Sequence, residues 1–189
     1  MKLKRSIFTA LLAAMLCLLA PISVPIGSIP MSLSIFGVAL VAMLADRRCA
    51  LMAIILYVGL GALGLPVFAG FSGGAHVLVG PTGGYLFGYI PMTLAIGTAC
   101  NKIEGRSSRG TLRIAVGLLV GLALCYFFGA AWFAVVSDIS FLKAVLIAVA
   151  PFILVDLVKL SVAASIGALL RRRIGRILEA EYGRSTEEK

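Results

Sequence analysis

The apolar run from Ala144 to Leu170 carries two charged residues, Asp156 and Lys159, near its middle. At about 1.5 Å per helical residue, Asp156 would stand roughly 20 Å from Lys143 and roughly 22 Å from Arg171, which is mid-membrane depth. A charge at that depth costs between about 3 and more than 10 kcal/mol, so such residues pair, face a cavity and carry function. Their i, i+3 spacing puts both on one helix face. Two readings follow: an ion pair that neutralises itself within the fold, or a polar recognition site inside an apolar bundle.

The rest of the chain reads as a wall for that pair. Of its 189 residues 61% are apolar and 13% charged, and mean hydropathy is +1.08, against roughly 25% charged in a soluble domain. The expected fold is all-α: an integral membrane bundle of six transmembrane helices in a single domain, residues 1–189. The spans fall at about 7–24, 32–45, 49–65, 84–99, 114–135 and 144–170, with an external glycine-rich loop over 66–83. Lys2, Lys4 and Arg5 ahead of Ile7–Ala20 resemble a signal peptide, but cleavage would spoil the charge alternation, so the segment stays as the first helix. Pro21, Pro25 and Pro30 break it into an uncharged connector. The second span is shorter than the usual 17 to 25 residues, so it is tilted, capped by the connector or re-entrant.

The formal net charge of +9 does not indicate nucleic acid, because the basic residues sit in short runs between apolar segments. The N-terminus, the 46–48 turn, the 101–113 loop and the C-terminal tail hold 15 of the 17 Lys and Arg residues, leaving Lys143 and Lys159. That split predicts six spans with both termini cytoplasmic, and puts the glycine-rich loop outside.

Gly59, Gly61 and Gly64 spell G-x-G-x-x-G, but no strand precedes them, so no dinucleotide site is expected. The segment from Pro66 to Tyr85 has too many glycines for a regular helix and is too apolar for a solvated loop, so it folds over the bundle mouth. His76, the lone histidine, reads as a loop hydrogen-bonding residue. The four cysteines lie in or at the ends of apolar segments and read as packing residues, and no metal site is expected. Gly83 and Gly84 open the fourth span, where backbone N–H groups and the helix dipole favour a ligand carboxylate. Pro151 is expected to kink the sixth span about a turn before Asp156. There is no nucleophile with its base and no carboxylate pair, so the chemistry is binding rather than catalysis.

The run LPVFAGFSGGAHVLVGPTGGYLFGY from Leu65, with P-x-x-x-x-D-x-x-K at Pro151, Asp156 and Lys159, resembles the BioY family of biotin transporters, the substrate-binding S components of energy-coupling factor systems. The resemblance covers essentially the whole chain and implies biotin uptake at the bacterial cell (inner) membrane, with biotin as transported ligand and no cofactor. It also implies docking of an Ala10-x-x-x-Ala14 face on a transmembrane coupling subunit driven by two ATPase subunits; ordinary helix packing is the alternative use of those alanines. Biotin's groups suit the residues: Asp156 would accept from a ureido N–H and Lys159 donate to the carbonyl, with Lys159 on the valerate carboxylate as the reverse assignment. Phe68, Phe71 and Tyr85 would hold the bicycle, and Thr82, Gly83 and Gly84 would close the mouth. Two rivals stand beside this reading. In a stand-alone secondary carrier the charge pair would be part of an ion relay, and in a ligand-free structural subunit it would set helix register.

Overall fold

The computed structural model describes residues 2–26, 29–101 and 108–187. Gly27 and Ser28, Lys102 and Arg106, and the side chains of Arg171, Arg172, Arg173 and Arg176 lie outside the described residues. The chain is mostly helical: α1 (Lys2–Leu19), α2 (Ser34–Leu44), α3 (Arg47–Ala62), α4 (Ala75–Val79), α5 (Gly83–Asn101), α6 (Ser108–Val136), α7 (Phe141–Ala148) and α8 (Ile153–Glu187).

The all-helical expectation needs one correction. The proline-rich connector after α1 folds into an antiparallel hairpin of β1 (Ser23–Ile26) and β2 (Ile29–Ser32). Its register sets Pro25 opposite Pro30. Neither proline has an N–H, so each is excluded from a helix interior yet tolerated where a two-stranded ladder asks for no donor.

Helix α2 is the centre of the molecule. It is 11 residues long with 9 of them buried, apolar all round as a helix must be when covered on every side, and it packs on α1, α3, α5 and α8. Helices α5 and α6 form the most extensive pair, brought close where Gly88 meets the Cys125 backbone and Gly121 meets Met92 and Ile96. Large apolar side chains point outward from α1, α6 and α8, including Ile7, Leu11, Leu119, Phe127, Leu154 and Val158. A surface of this kind is suited to lipid, not water. Helix α6 from Gly110 to Val136 and helix α8 from Ile153 to Leu170 are each long and apolar enough to cross a membrane.

One kinked helix is expected over 144–170; the structure has two, separated at residues 149–152. Pro151 supplies no N–H, and the Phe152 amide donates to the Val149 carbonyl at 2.9 Å instead of reaching Ala148. The Ala148 carbonyl orphaned by this break is taken up by the Tyr85 hydroxyl of α5. The break also makes Asp156 a first-turn residue of α8, not a mid-helix one, so the positive end of the helix dipole faces its carboxylate.

Candidate functional site

Between the hairpin, α2, α3, α5 and the start of α8 lies a cavity of about 110 Å³, well above the about 10–15 Å³ that one water needs. Its polar end is the Asp156 carboxylate, only 2% exposed. Lys159 Nζ donates to Asp156 Oδ1 at 2.8 Å and to the Ser32 carbonyl of β2 at 2.7 Å. The Tyr126 hydroxyl of α6 donates to Asp156 Oδ2 at 2.6 Å. Three elements distant in sequence, β2, α6 and α8, thus meet in one hydrogen-bonded network.

This arrangement resolves the cost of burying charge. The ion pair is neutral as a unit, and each partner has a further hydrogen bond, the condition under which Coulomb attraction offsets desolvation. It is not saturated. An ammonium has three protons, of which two are engaged, and a carboxylate has about four lone-pair sites, of which two are used. A donor and an acceptor therefore remain side by side, the complement of a ligand edge carrying an N–H next to a C=O.

The structure brings together five of the residues singled out from sequence: Asp156, Lys159, Thr82, Tyr85 and Phe68 all line the cavity. Tyr85 lines it with its ring while its hydroxyl braces the α7–α8 break. Phe68 is held edge-on against Tyr57, ring centroids 5.6 Å apart. A Cβ on Gly61 would fall within the Phe68 ring, so the glycine is the notch in which that ring is seated.

The other five are placed elsewhere. Phe71 is 70% exposed and does not line the cavity. Gly83 and Gly84 sit behind its wall, where added side chains would meet the Leu78 carbonyl, the Phe128 carbonyl and Trp132. They let the start of α5 pack on α6, and Trp132 Nε1 ties the same corner by donating to the Gly80 carbonyl at 3.0 Å. Ala10 and Ala14 lie on the exposed outer face of α1, away from the cavity lining. Sequence reasoning missed Tyr126, Tyr57, Tyr89, Ser34 and the β2 backbone, all part of the wall. The available signal was a phenol in the middle of an otherwise apolar span. Among the described residues no group of His, Cys, Asp or Glu is arranged to hold a metal ion.

Residues 1–176 match the model of the BioY family. The chain is 40% identical over 173 residues to the biotin transporter BioY of Thermotoga maritima, covering 90% of this chain and 95% of that one. It is 37% identical over 171 residues to the probable biotin transporter BioY of Pyrococcus horikoshii, covering 90% and 98%. A crystal structure of the S-component for biotin from an ECF-type ABC transporter superposes with a TM-score of 0.80 at 28% identity, over 90% of this chain and 92% of that one. A cavity whose polar end is a buried Asp156 paired with Lys159, in a helical chain with a lipid-compatible surface and this likeness over nearly its full length, places the chain in the BioY family.

Proposed function

We propose that this chain is a biotin S component: a membrane subunit that captures biotin from the external face and delivers it with an ATP-driven energy-coupling module. The observation that carries this reading is the unsaturated Asp156–Lys159–Tyr126 network at the end of a mostly apolar cavity. Biotin's ureido group offers N–H donors beside a carbonyl, and its thioether bicycle is apolar, the two properties the cavity complements. Asp156 accepts a ureido N–H and Lys159 donates to the carbonyl; Phe68, Tyr85 and Thr82 lie against the ligand.

The assembly reading is supported at the surface. Ala10 and Ala14 present small side chains on the exposed face of α1, a geometry that admits close approach of a partner helix, here the coupling subunit that works with two ATPase subunits. Six spans with cytoplasmic termini follow from the basic residues, 15 of 17 in alternate connectors, as the positive-inside rule requires.

Calorimetric titration of the purified protein in detergent with biotin tests the assignment. Wild type binds; Asp156→Asn, which keeps size but replaces an acceptor with a donor, and Lys159→Ala each lose at least about a hundredfold in affinity, or about 2.7 kcal/mol. Unchanged affinity in Asp156→Asn overturns the role of the carboxylate, and no binding by folded wild type overturns the function.

A further inference from the structure

Tyr57 of α3 is the anomaly of the cavity wall. Its side chain is fully buried and lines the same cavity as Asp156 and Lys159, yet its hydroxyl has no hydrogen-bond partner among the described residues. Buried polar atoms are satisfied in roughly nine cases in ten or more. The other phenols treated above obey that rule, Tyr85 through the Ala148 carbonyl and Tyr126 through Asp156. The Ser34 hydroxyl, which accepts from the Ser32 hydroxyl, lies beside Tyr57 but outside hydrogen-bond distance and angle of the phenol.

Packing does not account for the hydroxyl. The Tyr57 ring stands edge-on to Phe68 at an interplanar angle of 84°, a contact a phenylalanine would make equally well. The wall already uses phenylalanines at 68 and 152. No protein group takes this O–H, and the residue that carries it lines the cavity, so its partner is to be sought in what fills that space.

We infer that Tyr57 is a ligand-recognition residue, whose hydroxyl, unpaired with any protein group among the described residues, donates a hydrogen bond to an oxygen of the bound ligand. This rests on the reading of the cavity as a biotin site, and biotin offers two acceptors of the required kind, the ureido carbonyl and the carboxylate. It joins Tyr57 to Asp156 and Lys159 as a determinant of specificity.

Tyr57→Phe tests it through two readouts with different signs. In the absence of biotin the variant melts at the same temperature as wild type or higher, because no hydrogen bond to a protein group is removed. Its biotin affinity is about 5- to 30-fold weaker, the range of one lost hydrogen bond to a polar or charged oxygen. Titration with biotinol, which lacks the carboxylate, identifies the acceptor: a retained penalty assigns the ureido carbonyl and a vanished one the carboxylate. A lower melting temperature without ligand means that the hydroxyl is bonded inside the protein and overturns the inference, as does unchanged biotin affinity. Failure of wild type to bind biotin overturns the functional reading instead, and the ligand-free melting comparison still decides whether the hydroxyl is an orphan.

Discussion

Tyr126 holds the most consequential single atom contact in the site, because its hydroxyl is the neutral donor on the buried Asp156 carboxylate. Lys159 balances the charge, but Tyr126 orients the second oxygen. Tyr126→Phe keeps the ring and strips that donor, leaving Oδ2 with an unmet desolvation cost of about 1–3 kcal/mol. We expect a lower melting temperature in detergent together with weaker biotin binding; an unaltered melting curve would mean that the carboxylate finds another donor without loss. The Asp156–Lys159 half of this network was legible in the sequence, since an i, i+3 pair is set by helix geometry alone. Tyr126 was not, because the contact spans 30 residues and depends on how α6 lies against α8.

At the scale of elements, the two places where the chain departs from regular helices both serve the cavity. The hairpin offers the Ser32 carbonyl to Lys159, so the cation ties the cavity's cover to its charged end. The break between α7 and α8 puts Asp156 in a first helical turn. Pro151 announced the second feature as a kink, while the pairing of β1 with β2 left no alternating pattern in a run dense with proline. Gly61 supplies the element-scale prediction. Substituted by alanine, its methyl meets the Phe68 ring, and either the ring leaves the cavity wall or α3 moves, at a cost of about 1–3 kcal/mol. Gly61→Ala is expected to lower both stability and biotin affinity. The stability loss should shrink when Phe68→Ala is combined with it, since the double variant removes the clash. Simple additivity of the two losses in thermal melts would show that Gly61 serves something other than seating Phe68.

For the whole molecule the question is which end faces which compartment. In a cysteine-free background, His76→Cys in the glycine-rich segment and Arg48→Cys at the start of α3 are both exposed positions. An impermeant maleimide applied to intact cells should label the first and spare the second until the membrane is opened; the reverse pattern would invert the topology. The bilayer as solvent, a mostly helical fold and the charge pair were all determined by the sequence itself, because hydropathy, basic-residue segregation and helical spacing are local or additive properties of a chain. The family resemblance was likewise carried by local motifs, in the glycine-rich segment and the D-x-x-K turn. What only the tertiary structure decided was which side chains share the cavity. Phe68 turns inward and Phe71 outward although three residues apart, because Gly61 opens a notch for one ring and nothing encloses the other. Gly83 and Gly84 stand behind the wall because Trp132 and the α6 backbone occupy the space beside them. Tyr57 lines the cavity while its hydroxyl meets no protein group among the described residues. Each outcome depends on the meeting of surfaces far apart in the chain, and steric exclusion between such surfaces leaves no trace in the local pattern of either one.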